Sequence, residues 1–316
     1  MKDFDFQGKK HKKQYFEGWY YKNVTMDKKI TVSIIPGISL TKENPHAFIQ
    51  VIENKNHQSY YVEYPIEEFT FHEKTSCIQI KDNYFYKDYI DLSIHTSDLN
   101  LTGFLYYSEL SPIHSSKVSP TIMGPLYYLP KLECIHSVLS THHYIDGTLT
   151  LNGEPIDFED GIGYLEKDYG TSFPTEYTWL QTNHLKKENL EYKKVSLFFS
   201  VARVPIYFGH ITGFIALLCI NNKEYRFATY NGAKMTKIMK KGEIIKYLFE
   251  KGKDKLVILV KPKHACSLKA PKNGKMTDDV YESLDTECQV TFYHKNKVLL
   301  KQRMISCGYE EKGSTK

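Results

Sequence analysis

The sequence has few cysteines, and none of them are spaced as in a metal or disulfide framework. Its 316 residues include six cysteines, with no CxxC pair among them. They are Cys77, Cys134, Cys219, Cys266, Cys288 and Cys307. Wide spacing of this kind predicts reduced thiols, several of them small core residues, and argues against a cysteine-based zinc site.

Long apolar runs and targeting signals are also missing. The longest apolar run, Phe214 to Ile220, is far too short to span a bilayer. The first residues, MKDFDFQGKKHKKQYF, contain no apolar segment of the kind found in secretory signals. We therefore expect a cytoplasmic protein, with room for a peripheral contact with a membrane.

Signature motifs of several enzyme classes are absent as well. The sequence has no GxSxG, Walker loop, GxGxxG or recognisable Ser or Cys nucleophile context. Its net charge of +5 comes from basic residues scattered among acids, so no nucleic-acid partner is predicted. The basic run Lys9–Lys13 is interpreted as a solvated N-terminal arm.

Aromatic residues, in contrast, are abundant, and they indicate a β protein. There are 25 Tyr and 17 Phe, a composition that favours strands. Short alternating runs separated by turn signals occupy the chain, and sustained helical periodicity is hard to find. Two-residue turns are predicted at Asn152-Gly153, Asn221-Asn222 and Lys295-Asn296, with further turns at Gly242 and Gly252.

About eighteen strands are more than one small barrel holds, so the pattern predicts two packed β-domains. Turn formers and acids cluster between Asn152 and Gly163, and we place the boundary there, giving domains 1–158 and 159–316. The segment Ser108–Pro125, rich in Ser and Pro, is predicted to be a loop that covers or bridges a barrel mouth.

The stretch GYLEKDYGTSFPTEYTWLQTNHL concentrates polar and aromatic side chains. If its two halves are strands, alternation places Tyr164, Glu166 and Asp168 on one face, opposite Leu165, Lys167 and Tyr169. The second half groups Tyr177, Trp179, Gln181 and Asn183 on one face, opposite Thr178, Leu180, Thr182 and His184. Such mixed faces line a ligand cavity or face solvent, since unpaired polar groups are costly to bury.

The segment QYFEGWYYKN repeats this combination, with Tyr15, Glu17, Trp19 and Tyr21 on one strand face and Tyr20 on the other. A carboxylate among aromatics is an environment that favours its protonated form. The alternative is a structural Glu17 that pairs with Lys22 or an arginine. No metal site is predicted, because His46, His136, His184 and His210 have no fixed spacing to one another or to acids.

Several of these motifs together resemble a known family. FEGWYYK, SIIPGIS…HAFIQVI, MGPLYYLPKLECIHSVLS, the stretch from Gly163 to Leu185 and SCGYE are similar, in that order, to the tocopherol cyclase-like family. The resemblance runs from about residue 15 to 310, and extends more remotely to carotenoid 1,2-hydratase and AttH-like proteins. It implies two tandem lipocalin-like (calycin-type) β-barrel domains in an all-β fold.

One departure from the family pattern lies in the acidic stretch. The plastid cyclases carry Asn-Trp where this chain has Asp168-Tyr169, and they are longer, with a transit segment. The changed dipeptide alters both charge and ring size, which bears on the identity of the substrate.

The resemblance also implies a chemistry. Ring closure of a prenylated quinol and hydration of an isoprenoid alkene both begin with protonation of a trisubstituted C=C. A desolvated acid and a cation-tolerant aromatic cage serve that step, without organic cofactor or metal. The candidate acids are Asp168, Glu166 and Glu17. The candidate binding residues are Trp19, Tyr20, Tyr169, Tyr177, Trp179, Gln181, Asn183 and His184.

The leading hypothesis is therefore a tocopherol cyclase-like enzyme acting on a lipophilic isoprenoid or prenylquinol, by chromanol ring closure or by hydration. The alternative is a non-catalytic lipocalin-like carrier of an isoprenoid, quinone or other lipophile. Such a carrier would bind its ligand in the same kind of cavity. A tandem β-protein for protein contacts is the third.

Overall fold

The chain forms two antiparallel sheets, and the predicted all-β, lipocalin-like fold is confirmed. The computed structural model describes residues 3–10, 13–130, 132–187, 191, 194–206, 209–241 and 243–313. Within this part of the chain the only helical segments are short 3-10 turns. They are η1 (Gly8–Lys10), η2 (Ile66–Glu68), η3 (Gly124–Tyr128) and η4 (Thr229–Asn231).

The first sheet contains the first twelve strands of the chain. They are β1 (Tyr15–Val24), β2 (Thr31–Leu40), β3 (His46–Glu53), β4 (Gln58–Pro65), β5 (Phe69–His72), β6 (Cys77–Ile80), β7 (Asn83–Phe85), β8 (Tyr89–His95), β9 (Asn100–Ser108), β10 (Cys134–Leu151), β11 (Glu154–Asp157) and β12 (Gly161–Gly170). Their order is β4-β3-β2-β1-β12-β10-β9-β8-β7-β6-β5, with β11 on β10. Strand β12 thus joins two antiparallel meanders into one sheet.

The second sheet contains the remaining eleven strands. They are β13 (Tyr177–Thr182), β14 (His184–Leu185), β15 (Val195–Ile206), β16 (Gly209–Ile220), β17 (Lys223–Ala228), β18 (Lys234–Lys241), β19 (Ile244–Lys251), β20 (Asp254–Lys261), β21 (Cys266–Lys272), β22 (Lys275–His294) and β23 (Lys297–Lys312). Their order is β17-β16-β15-β13-β23-β22-β20-β19-β18, with β14 on β23 and β21 on β22.

The compact units differ from the predicted division at residue 158. One unit comprises residues 1–115, 131–173 and 267–279, and the other comprises 116–130, 174–266 and 280–316. Residues 159–173 lie with the first unit because β12 pairs with both β1 and β10. Each unit has its own apolar core, one containing Trp19, Tyr21 and Leu165, the other Leu180, Phe199 and Tyr247.

The predicted two-residue turns are confirmed. Both residues of each turn have positive φ, as tight hairpins with a right-handed twist require: Asn152 and Gly153 (50° and 86°), Asn221 and Asn222 (48° and 69°), Lys295 and Asn296 (49° and 67°). Gly252, with φ 58°, begins the β19–β20 turn, whereas Gly242 lies outside the described residues.

The structure describes parts of two further segments interpreted from the sequence, the basic run and the long loop. Lys9 and Lys13 of the basic run are exposed, while His11 and Lys12 lie outside the described residues. Between Ser108 and Gly124 the backbone forms one isolated bridge and otherwise no strand or helix, which agrees with the predicted loop. Its role as a cover stays a prediction. Within the described residues no helix has the length and hydrophobicity that a bilayer span requires.

A buried histidine lies at the centre of the first sheet. His143 of β10 is directly opposite Gly163 of β12, where a Cβ would lie 2.2 Å from the His143 Nε2. The ring packs 4.8 Å from the ring of Tyr107, and its Nδ1 lies 3.1 Å from the Ser140 hydroxyl. Burial lowers the pKa of His143 to about 3, because the charged imidazole loses its hydration there.

We predict that His143 makes the fold sensitive to acid. The unfolded chain binds this proton near the ordinary histidine pKa of 6.5 and the folded chain only near 3, so stability is lost as pH falls between these values. The free energy of unfolding should fall by about 2 kcal/mol from pH 7 to pH 5 through this group. Urea denaturation at both pH values measures it.

His143→Gln should be less stable at pH 7 but lose less stability on acidification than wild type. His72→Asn, at an exposed histidine, is the matched control and should keep the wild-type slope. An unchanged slope in His143→Gln would contradict the assignment.

Candidate functional site

Strand β12 carries different polar groups on its two faces. Residues directly opposite each other in the register share a face, so Lys167 lies with Trp19 of β1, and Asp168 lies with His136 of β10. Trp19 belongs to the first core, which makes the Lys167 face the interior one. Glu166 and Asp168 therefore project from the opposite, outer face.

The outer face brings together a histidine, two carboxylates and a tyrosine, which we call the His136 cluster (His136, Tyr164, Glu166 and Asp168). His136 Nδ1 lies 2.8 Å from Asp168 Oδ1, and His136 Nε2 lies 3.5 Å from Glu166 Oε2. The Tyr164 hydroxyl donates a 2.5 Å hydrogen bond to the same Glu166 oxygen. One imidazole thus lies between two acids.

The His136 cluster is largely withdrawn from solvent. The exposed fraction of the side chain is 7% for Glu166, 16% for His136 and 19% for Asp168. The Cys134 thiol donates to Asp168 Oδ1 at 3.5 Å. Two ionised carboxylates beside a protonated imidazole would leave the cluster with a net negative charge. The cluster is neutral only if one of the carboxyl groups also holds a proton.

Aromatic rings adjoin the cluster on the same face. The Tyr20 ring lies edge-on to the ring of Tyr164, with centroids 6.5 Å apart, and both residues are buried. The Tyr20 hydroxyl accepts a 2.9 Å hydrogen bond from Ser33. The negative faces of such rings favour a nearby cation.

Glu17 lies on the interior face instead, away from the other two predicted acids. It opposes Tyr169 in the register and forms a 2.7 Å ion pair with Lys167. Both side chains are fully buried, with 0% exposure. The Tyr15 hydroxyl also donates to Glu17, at 2.6 Å. The structure thus favours a structural pairing for Glu17, with Lys167 in place of the predicted Lys22.

The N-terminal segment 3–8 encloses this ion pair. The backbone N–H groups of Gln7 and Gly8 donate to the Glu17 carboxylate at 2.9–3.1 Å. The Lys167 ammonium donates to the carbonyl oxygens of Asp3 and Asp5 at 3.3 and 2.6 Å. Burial raises the pKa of Glu17 and lowers that of Lys167, so each charge depends on the other and on these backbone groups.

Two predicted binding residues serve this interior pair. The Lys167 ammonium lies 5.2 Å from the Trp19 ring and 5.1 Å from the Tyr169 ring, in cation–π geometry. The Trp19 indole also donates to the carbonyl of Phe4 at 2.9 Å, and Phe4 lies in the core. Trp19 and Tyr169 are therefore separated from the His136 cluster by the sheet, whereas Tyr20 lies on the cluster's face.

The other predicted binding residues lie in the second compact unit. The Tyr177 hydroxyl donates to Glu310 Oε2 at 2.5 Å. Trp179 packs over Gly308, where a Cβ would lie 2.7 Å from the indole ring. The predicted alternation of side chains along β13 is found. Leu180 points into the core, and Trp179 lies on the opposite face, across from Glu310.

Gln181, Asn183 and His184 are also buried in the second unit. Their exposed fractions are 0%, 5% and 1%, so these polar side chains are enclosed by the protein. The His184 backbone N–H donates to the Thr182 hydroxyl at 3.3 Å. Their predicted role in substrate binding stays a prediction.

Sequence reasoning overlooked the partners of the predicted acids. No fixed spacing relates His136 to an acid along the chain, yet the donor atoms of His136, Glu166 and Asp168 all lie within 4.8 Å of one another. Two alternating motifs in the sequence, Cys134-x-His136 and Tyr164-x-Glu166-x-Asp168, could have indicated that these polar side chains share one strand face. Lys167 was assigned to the opposite face, and this is where it lies.

The structure is thus an all-β, lipocalin-like fold whose candidate site is a largely buried acid and imidazole cluster. The model of the tocopherol cyclase-like family matches residues 105–312, and the chain belongs to that family. Family membership supports a catalytic role on an isoprenoid substrate without specifying the reaction. No curated protein matches the sequence.

Solved structures share the fold at low sequence identity. The crystal structure of CghA is 9% identical with a TM-score of 0.61, covering 95% of this chain and 89% of that chain. CghA with Sch210972 gives the same values. A protein from Nitrosomonas europaea, provisionally identified as AttH, is 12% identical with a TM-score of 0.54, covering 98% and 95%. These similarities concern the fold.

We predict that the Glu17–Lys167 pair is essential for stability. Lys167→Met should lower the free energy of unfolding by about 3–5 kcal/mol, because it leaves a buried carboxylate without its counter-charge. Adding Glu17→Gln to that variant should recover part of the loss. Chemical denaturation of the single and double variants measures this coupling.

Lys269→Met is the matched control, since Lys269 forms a 2.9 Å pair with Asp279 in which both side chains are about half exposed. That change should cost less than about 1 kcal/mol. Equal losses in the two lysine variants would contradict a special role for the buried pair.

Proposed function

We propose that the protein is a tocopherol cyclase-like enzyme that protonates a prenyl C=C of a lipophilic isoprenoid or prenylquinol. The observation that carries this proposal is the His136 cluster, where two carboxylates, one imidazole and a tyrosine meet in a site with little solvent exposure. A general acid for alkene protonation needs such a desolvated carboxyl group.

Glu166 is the proposed proton donor. It is the less exposed of the two acids, and its Oε2 already accepts the hydrogen bond from Tyr164. The transferable proton is assigned to the carboxyl group of Glu166. Asp168 holds His136 through the 2.8 Å contact to Nδ1 and so acts as a positioning residue. His136 Nε2 lies 3.5 Å from Glu166 Oε2, so the imidazole adjoins the carboxylate that receives the returning proton.

The proposed reaction returns the proton it uses. Glu166 transfers its proton to the less substituted alkene carbon, and the π electrons form the new C–H bond. A tertiary carbocation and a carboxylate result. A phenol oxygen of the substrate, or a water molecule, then forms the C–O bond, and its proton passes to Glu166. Ring closure is a net isomerisation, and hydration is a net addition of water.

The aromatic residues of the same face would stabilise the cation. Tyr20 and Tyr164 are buried and adjacent to the acids, and a cation near the faces of their rings gains electrostatic stabilisation. The substrate is then the lipophilic small molecule predicted from the sequence. A peripheral contact with a membrane would give access to such a lipid, and it remains a proposal.

We predict that Glu166→Gln strongly lowers turnover and preserves substrate binding. Incubation with a prenylated hydroquinone in D₂O, followed by mass spectrometry, should give a wild-type product with one deuterium on carbon. Glu166→Gln should lower kcat/KM by roughly 10²-fold or more, the usual contribution of a general acid. Binding, measured by tyrosine fluorescence quenching, should change little.

Glu154→Gln, at an exposed residue of the same unit, is the control and should retain wild-type turnover. Binding without any deuterated product in the wild-type protein would support the carrier instead. Full turnover in Glu166→Gln would reject the assignment of the donor.

A further inference from the structure

The ligand atoms of the His136 cluster come from two neighbouring strands in a regular arrangement. His136 lies on β10, and Glu166 and Asp168 are two residues apart on β12. His136 is directly opposite Asp168 in the register. Period-two alternation therefore directs imidazole and carboxylate groups to one side of a rigid sheet.

The separation of His136 and Glu166 matches that of two ligands on one metal ion. Two tetrahedral ligands, each about 2.1 Å from zinc, lie roughly 3.4 Å apart. The His136 Nε2 and Glu166 Oε2 are 3.5 Å apart. The Asp168 carboxylate completes a group whose donor atoms all lie within 4.8 Å of one another.

The remaining contacts resemble those that orient metal ligands. Asp168 Oδ1 lies 2.8 Å from His136 Nδ1, the ring nitrogen that faces away from Glu166. A carboxylate on the far nitrogen of a histidine fixes its tautomer and makes the other nitrogen available as a ligand. The Tyr164 hydroxyl similarly orients the Glu166 carboxylate.

We propose that the His136 cluster binds a divalent ion of the zinc type, with His136 Nε2 and Glu166 as ligands and Asp168 as the orienting acid. Imidazole with carboxylate suits zinc better than calcium or magnesium, which prefer oxygen ligands alone. The inference uses the residues of the proposed function but does not depend on it. A bound ion and the catalytic proton compete for Glu166, so zinc should inhibit turnover.

Calorimetric titration of the chelator-treated full-length protein with Zn²⁺ tests the proposal. We expect saturable binding of one equivalent. His136→Gln and Glu166→Gln should each weaken binding at least tenfold. Asp168→Asn should weaken it by about 10–100-fold, as loss of an orienting carboxylate does elsewhere.

The control is His294→Gln. His294 makes a similar 2.9 Å contact with Asp254 in the other unit and belongs to no group of three metal-binding side chains among the described residues. This variant should bind Zn²⁺ as the wild type does. An equal loss in His294→Gln, or wild-type affinity in His136→Gln, would overturn the proposal.

A second measurement avoids reliance on variants that fold poorly. The Tm of the wild-type protein should rise with Zn²⁺ concentration if the folded state binds the ion, and Mg²⁺ at equal concentration should not raise it. Absence of any shift together with no calorimetric binding would refute the site. Turnover assayed with and without chelator separates the two proposals, because acid catalysis should persist when zinc is removed.

Discussion

Strand β12 hydrogen-bonds to β1 on one side and to β10 on the other, and the placement of the polar side chains depends on this double pairing. A strand directs successive side chains to opposite faces, so Lys167 enters the interior while Glu166 and Asp168 face outward. A shift of one residue in either register would exchange these faces and place two acids in the core. The buried Glu17–Lys167 pair opposes such a shift, because Lys167 satisfies the charge of Glu17 only in this register.

The interior pair also explains the position of the N-terminal segment. Backbone N–H groups of Gln7 and Gly8 donate to Glu17, and carbonyl groups of Asp3 and Asp5 accept from Lys167. Two buried charges need this many polar contacts to offset their lost hydration. The acids of the outer face have a different environment, with partial exposure and an imidazole in place of a lysine. The buried ion pair and the His136 cluster thus lie on opposite faces of β12.

The sequence predicted the local features well, because they depend on neighbouring residues. The turns at Asn152-Gly153 and Asn221-Asn222 follow from their tolerance of positive φ, and the alternation around Glu166 follows from strand geometry. The pairing of β1 with β12, more distant along the chain, has no local signal. For that reason Glu17 was grouped with Glu166 as an acid, and His136 was not assigned to any site. The strand register, rather than the type of residue, determines that Glu17 lies on the interior face and that Glu166 lies beside His136 on the other face.

The same register gives physical meaning to the departure from the plastid cyclases at Asp168-Tyr169. The two residues face opposite sides of β12, so the dipeptide alters two environments independently. Asp168 contacts His136, and its carboxylate in place of an amide makes the outer cluster more negative. Tyr169 lies 5.1 Å from the Lys167 ammonium on the interior face, where a smaller ring changes packing around the ion pair. The difference at Asp168 therefore changes the charge of the outer cluster, and the difference at Tyr169 changes the packing around the Glu17–Lys167 pair.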